Sequence, residues 1–457
     1  MTEPDTLTAC QAREIRNTGE TGVEYLKKRA ADPEAEDRAV REVVERMLGD
    51  IEARGEDAVV EYAHKFDGWT GAFVLSDKQR RGLIDGLDDR VKEDITFAHA
   101  QVTRFATAQR DSLTPFEIET EPGVRLGQRV APVDSAGCYV PGGRYAHAAS
   151  AVMSVATGKV AGVPDIAACS PPRGESIDPA VAFAMDLSGA DMILQMGGVH
   201  AVATMAFGLF GCRAADLLVG PGNAYVAEAK RILFGRVGID VFAGPTESGI
   251  VADDSADPMT IAVDLVSQAE HGPTSPVWLF TTSRELGETV ARILPSVADD
   301  MPNADVVHSA WHDYGEIILC ESRDEAAAVC NRYSPEHVQV MADDLEWWRD
   351  NLSNYGSLFL GEGSTVTHGD KCSGTNHILP TKQAGRYSGG LNVHKFMKVL
   401  TYQQLDEQAN KTFSAAGSRI SRTEGMEGHA RACDWRLRKY FPGENWSFEV
   451  YDQQRYD

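Results

Sequence analysis

Leu217-Leu-Val-Gly220-Pro-Gly-Asn223-Ala-Tyr-Val-Ala-Glu-Ala-Lys230 is the stretch on which the fold turns: a short apolar run, a glycine-bearing turn, then helix-compatible sequence. The same unit stands at Asp165-Ile-Ala-Ala-Cys-Ser170, closed by Pro171-Pro172, and at Met192-Ile-Leu-Gln-Met196, closed by Gly197-Gly198. Short buried strands alternating with helices predict a parallel sheet with crossover helices. A second set runs through Gly249-Ile-Val-Ala252, Val277-Trp-Leu-Phe280, Glu316-Ile-Ile-Leu319, Val338-Gln-Val-Met341 and Ser357-Leu-Phe-Leu360. Two strand-rich blocks predict two α/β domains. Upstream, Val40, Val43, Val44, Met47, Leu48 and Ile51 form one apolar stripe, predicting a helix over 38–54 that Gly55 ends. A charged helical region continues to about 110, and after 390 the sequence turns polar and helical.

The composition suits this class. The chain has 457 residues, 43% of them hydrophobic and 25% charged, with a net charge of −24. That balance disfavours nonspecific binding to nucleic acid or to an anionic membrane, and no run approaches a membrane span. The start, Met1-Thr-Glu-Pro-Asp-Thr6, lacks the basic and apolar regions of a signal peptide, so a cytoplasmic location is expected. Eight scattered cysteines, without a Cys-x-x-Cys pair, argue against a disulfide framework or a thiolate zinc site.

Two short runs carry chemistry. Gln268-Ala-Glu-His271 ends an amphipathic stretch stopped by Gly272-Pro273, so helical spacing sets an amide oxygen and an imidazole three apart on one face, within reach of one cation. Glu336-His337 puts a carboxylate beside an imidazole ahead of an apolar strand, a pairing suited to proton transfer. Further donors lie in the glycine-rich loop His368-Gly-Asp370-Lys-Cys-Ser-Gly-Thr-Asn-His377 and in Glu424-Gly-Met-Glu-Gly-His429. Gln268, His271, Asp370 and His429 make a chemically reasonable zinc set with room for a substrate oxygen, although spacing alone does not say which of these groups meet. Tyr139-Val-Pro-Gly-Gly143 and Gly220-Pro-Gly-Asn223 stand where helix N-termini could receive phosphate. Neither is G-x-G-x-x-G, and both read equally well as plain tight turns.

Taken in order, Gly137-Cys-Tyr-Val-Pro-Gly-Gly143, Gly220-Pro-Gly-Asn-Ala-Tyr-Val-Ala-Glu-Ala-Lys230, Ala243-Gly-Pro-Thr-Glu247, Gln268-Ala-Glu-His271, Ser334-Pro-Glu-His337, Gly374-Thr-Asn-His-Ile-Leu-Pro-Thr381 and Glu424-Gly-Met-x-x-His429 resemble the histidinol dehydrogenase family over roughly residues 25 to 435. The resemblance implies a zinc enzyme that uses NAD to oxidise a primary alcohol to a carboxylate in two hydride transfers. It implies zinc, one per subunit, on Gln268, His271, Asp370 and His429, and Glu336 and His337 as the general base pair. Tyr139, His200 and Asn223 stand at its NAD positions, His200 where a Gln is usual, which leaves that contact in doubt. Thr246, His377 and Glu424, with the zinc ligands and the base pair, match substrate contacts. The implied fold is a domain-swapped homodimer of two Rossmann-like α/β domains, in which Glu424 and His429 reach the partner's active site. On this chain that maps to an N-terminal helical arm over 1–24, a zinc-bearing α/β domain over 25–132 and 240–385, an NAD-binding domain over 133–239, and a helical dimerisation region over 386–457.

The substrate expectation rests on departures from that pattern. Lys371 stands where an aromatic residue is expected, and Lys395 precedes Phe396 where an acid is usual. Between His368 and Lys398, Lys371, Lys382, Arg386, Lys395 and Lys398 face one acid, Asp370. A basic loop in so acidic a chain suits an anion, or the phosphates of NAD. These features resemble the sulfopropanediol 3-dehydrogenase branch, with 2,3-dihydroxypropane-1-sulfonate going to 3-sulfolactate. The alternatives are L-histidinol going to L-histidine, which the retained Glu424 favours, and zinc hydrolysis without nucleotide.

Overall fold

The computed structural model describes residues 13–15, 23–30, 37–142, 145–241 and 244–446. They fall into two units, divided at 110/111, 131/132 and 396/397.

The first unit holds two sheets. One contains β5 (Ser135–Tyr139), β6 (Asp165–Ser170), β7 (Met192–Gln195), β8 (Leu217–Val219) and β9 (Gly238–Ile239), all parallel in the order β7-β6-β5-β8-β9. The chain leaves β5 in one direction for β6 and β7, then returns to add β8 on the other side. The ends of β5 and β8 therefore flank the switch point where such sheets hold ligands.

The other sheet has the order β1-β2-β12-β11-β10-β13-β14. Its parallel part is β10 (Ser248–Ala252), β11 (Val277–Thr281), β12 (Glu316–Leu319), β13 (His337–Met341) and β14 (Ser357–Leu360). Ile250, Leu279 and Ile317 pack to one face and Val251, Phe280 and Ile318 to the other, as expected of strands buried on both sides. At its edge β2 (Val23–Lys27) pairs antiparallel with β12, and β1 (Arg13–Ile15) with β2.

This corrects the expected N-terminal helical arm. Its described part is strand, and the remainder of 1–22 lies outside the described residues. The helix Asp37–Arg54 stands where its stripe predicts. It packs, however, on the five-stranded sheet: Val44, Met47, Leu48 and Ile51 share a core with Leu194, Val199 and Val202. The 25–132 segment is thus divided, its strand with one sheet and its first helices with the other.

The second unit pairs helices Glu407–Thr423 and Glu427–Tyr440 and carries a three-stranded sheet, β15-β4-β3, from β3 (Phe116–Glu121), β4 (Val124–Pro132) and β15 (Met397–Leu405). The region from 386 is therefore not wholly helical. Every residue of β3 is exposed, and so is most of β15.

No described helix is long and apolar enough to cross a membrane. All described cysteines are free.

Candidate active site

A cavity of about 680 Å³ opens in the first unit. Pro141, following β5, and Pro221, Gly222 and Asn223, following β8, line it from the C-terminal edge of the five-stranded sheet. Gly244 to Glu247 before β10, Thr274 to Pro276 before β11, and Glu336 and His337 at β13 line it from the N-terminal edge of the other.

The turn after β8 is held from beneath. Gly220 has φ +118, and a Cβ there would lie 1.9 Å from the Tyr139 carbonyl oxygen, so only glycine fits. Its N–H donates to Asp240 Oδ2 at 2.7 Å and its carbonyl accepts from Lys230 Nζ at 2.8 Å. Lys230 and Asp240, both almost wholly buried, also pair with each other. Asn223 caps the helix Ala224–Leu233, its Oδ1 accepting from the Tyr225 and Val226 amides at 3.1 Å.

Glu336 and His337 are buried side by side, with Glu336 Oε2 3.8 Å from His337 Nδ1. The backbone of one residue, Glu247, holds both. The Glu247 N–H donates to Glu336 Oε2 at 3.0 Å, and the Glu247 carbonyl faces His337 Nδ1 at 3.1 Å. That contact directs Nε2 of His337 toward Asp370, whose Oδ1 lies 3.3 Å away. The contact is one of charge rather than an aligned hydrogen bond, since Nε2 has no hydrogen-bond partner.

Burial pushes Glu336 up to about 8, with the Glu247 and Asp370 carboxylates adding to the rise and His337 opposing it. Burial alone would lower His337, but Glu336, Asp370 and the Glu247 carbonyl outweigh it and raise the imidazole to about 9. Burial would likewise raise Asp370, but the neighbouring imidazoles, His337 first, hold it well below the usual carboxylate range.

The helix Pro258–Ala269 ends before His271, so the Gln268–His271 spacing is kept by a turn rather than along one helix face; the His271 N–H donates to the Gln268 carbonyl at 3.3 Å. Gln268 is buried, and its Oε1 has no partner. His271 presents an exposed edge to the cavity, yet the protein packed around it still disfavours the charged form and lowers it to about 4. The supposed loop at 368 begins as a helix, Val366–Lys371, which carries Asp370 and Lys371 to the wall. His377 Nδ1 faces the Asp370 carbonyl at 2.7 Å and its Nε2 meets Ser150 Oγ at 2.7 Å.

Asn223, Thr246, His271, Glu336, His337, Asp370, Lys371 and His377 thus share one cavity. Tyr139 and His200 do not line it. Tyr139 is buried, its hydroxyl accepting from the Gly198 amide at 3.2 Å, and His200 Nε2 meets Asp67 Oδ2 at 2.9 Å inside the core. Both side chains therefore stand apart from the cavity lining in this conformation. Glu424 and His429 belong to the second unit, where both are exposed.

Two groups were overlooked by sequence reasoning. Glu247 was quoted only as part of a motif; it is buried, pushed up to about 7 mainly by burial, and accepts the Lys382 amide at 2.8 Å. His147 also lines the cavity and is lowered to about 4, chiefly by burial.

Among the described residues no three His, Cys, Asp or Glu side chains form a cage for a metal. The donors nevertheless suit zinc: a neutral imidazole on His271 and an ionised carboxylate on Asp370 at the wall, and, behind it and three residues before His271, a buried amide oxygen on Gln268 that lacks a partner. They leave one coordinating group to be supplied.

Histidinol dehydrogenase is the family model that the chain matches, over residues 30–437. The chain is 55% identical to sulfopropanediol 3-dehydrogenase of Ruegeria pomeroyi, over 92% of this chain and 98% of that one. It is 37% identical to histidinol dehydrogenase of Thermus thermophilus, over 88% of this chain and 95% of that one. The crystal structure of histidinol dehydrogenase from Elizabethkingia anophelis superposes with a TM-score of 0.84 at 30% identity, covering 90% of this chain and 94% of that one. With the fold, the buried base pair and the donors in agreement, the chain belongs to the histidinol dehydrogenase family of oxidoreductases.

Proposed function

We propose that this chain is a zinc-dependent NAD oxidoreductase that converts 2,3-dihydroxypropane-1-sulfonate to 3-sulfolactate in two hydride transfers. The observation that carries the chemistry is the buried Glu336–His337 pair, held by the Glu247 peptide and opening on a cavity that also presents His271 and Asp370. The family is NAD- and zinc-dependent in general.

A zinc held by Gln268, His271 and Asp370 supplies Lewis acidity toward the substrate hydroxyl, and NAD supplies the hydride acceptor. In its neutral form, which its value of about 9 makes more abundant as pH rises, His337 takes the hydroxyl proton at Nε2, because its Nδ1 is committed to the Glu247 carbonyl. Glu336, with a carboxyl near 8, then takes a proton from the water that adds to the aldehyde, giving the hydrate from which the second hydride leaves. Thr246, Lys371 and His377 line the space left for the rest of the substrate. Asn223 and the turn beginning at Gly220 stand on the cofactor side.

The sulfonate reading is supported by Lys371 and Lys382, both at the cavity wall, and by the likeness to the Ruegeria pomeroyi enzyme. Neither Arg386 nor Lys395 lines the cavity, and Lys398 lies in the second unit, so the basic loop narrows to two residues. Lys371→Met is expected to raise KM for the sulfonate diol about tenfold or more, the value of a charge-assisted contact, with a smaller change in kcat. Steady-state kinetics on the diol, and on propane-1,2-diol as an uncharged analogue, checks this; equal KM shifts on both would count against a sulfonate contact.

The deciding experiment offers zinc-loaded protein the sulfonate diol and L-histidinol separately and counts NADH. Two NADH per sulfonate diol, with little from histidinol, is the expected result. Turnover of histidinol alone would replace the substrate and leave the chemistry standing.

The same reading makes the active enzyme a homodimer, with His429 of the partner subunit as the remaining zinc ligand and Glu424 of the partner subunit at the substrate. Exposed apolar residues of the second unit support self-association, among them Trp435 at 65% and Ile420 at 58% exposure. Glu336→Gln and His429→Ala chains, each deficient alone in oxidising the aldehyde, are expected to recover about a quarter of wild-type aldehyde oxidation when refolded together at equal ratio, because each mixed dimer contains one intact site. No recovery in isolated mixed dimers would refute shared sites.

A further inference from the structure

The helix Val366–Lys371, which brings Asp370 to the cavity, starts irregularly. Thr365 occupies its N-cap position but makes no capping hydrogen bond. A threonine there normally satisfies one of the free amides of the first turn. Instead its hydroxyl donates to Asp264 Oδ1 at 3.1 Å, on the helix Pro258–Ala269. Asp264 stands one turn ahead of Gln268, on the same side of that helix. The bond therefore ties the helix bearing Gln268 to the helix bearing Asp370.

A third element joins them. Gln339 lies on β13 two residues beyond His337, so both side chains project from the same face of the strand. Gln339 is wholly buried and stands against the Asp264 carboxylate. Asp264 Oδ2 and both polar atoms of Gln339 have no aligned hydrogen-bond partner. Buried polar groups in so poorly aligned a contact are destabilising, so an apolar contact would make the more stable core. This node touches all three elements that carry the site.

We propose that Asp264, through its bond to Thr365, is a positioning residue of the metal site that sets the separation of Gln268 and Asp370. The inference rests on the zinc reading above. Groups that orient metal ligands without touching the metal usually change its affinity 10–100-fold when removed.

Thr365→Val keeps the shape of the side chain and deletes the bond. The expected result is a zinc Kd about tenfold weaker in chelator competition, together with a changed visible absorption spectrum of the cobalt-substituted protein, which reports ligand geometry. Thr365→Ser restores the hydroxyl and is expected to return both readings toward wild type. Asp264→Ala is expected to act in the same direction; where it fails to fold, the Thr365 pair still decides. Wild-type zinc affinity and an unchanged cobalt spectrum in Thr365→Val would overturn the inference and leave the zinc reading intact. A wild-type chain that takes up no stoichiometric zinc would overturn both.

Discussion

Glu336→Gln is expected to separate the two oxidations. The amide can still accept the Glu247 N–H, so the pocket keeps its shape, but it cannot take a proton from water. Oxidation of the aldehyde is expected to fall about 10²–10⁴-fold, the usual contribution of a positioned base, while oxidation of the alcohol, which relies on His337, falls far less. The pH dependence has a definite sign. Glu336 acts in its ionised form and titrates near 8, so aldehyde oxidation is expected to rise as pH rises through about 8. That limb should vanish in the variant. Rates measured separately with alcohol and with aldehyde, across pH, give the answer; equal losses in both would remove Glu336 from the second step.

Lys230→Met is the second large effect, and it acts on stability. The substitution leaves the Asp240 carboxylate in a site from which water is excluded, with backbone amides of Gly220 and Val241 as its partners and no countercharge. Removing one member of a buried ion pair costs about 3–5 kcal/mol. For a protein of this size the expected drop in Tm is about 3–5 °C. Adding Asp240→Asn removes the stranded charge and should recover part of the loss. Because the Gly220 carbonyl loses its donor as well, the turn loosens, and NAD affinity is expected to fall along with Tm. A single variant that melts like wild type would show that the buried pair contributes nothing net.

Eight strands of the two large sheets were legible because each is a short apolar run closed by glycine, proline or a polar turn; Ser135–Tyr139, Gly238–Ile239 and the antiparallel edge strands were not named. Asp165–Ser170, Glu316–Leu319 and Ser357–Leu360 stand where they were expected. Phe116–Glu121, Val124–Pro132 and Met397–Leu405 were missed. Phe116–Glu121 and Met397–Leu405 expose most of their side chains in this chain and Val124–Pro132 is largely half-buried, so they carry none of the apolar continuity by which a buried strand is recognised. The first helices went to the wrong sheet for a different reason: an apolar stripe says that a face is buried, not against what.

At the site, local spacing placed Glu beside His and Gln near His. It carried no sign of Glu247, because that residue's hold on the base pair is made by backbone atoms. Tyr139 and His200 came from family resemblance alone, and their side chains lie in the core.

That backbone hold has a consequence for how the site can vary. Ser248 and His337 are direct neighbours in register between β10 and β13, and the Glu247 peptide stands one residue before that pair. The backbone N–H and carbonyl of position 247 are present with every side chain but proline, which lacks the N–H. Other codon changes there can alter charge and packing, but they do not delete the two contacts that orient Glu336 and His337. Only a slip of one strand past the other would, and in a sheet buried on both faces a slip inverts every side chain. The orientation of the proton-handling pair is therefore inherited with the sheet: while the strands stay paired, the chain can drift in sequence around this point, and the pair is lost only when folding itself fails.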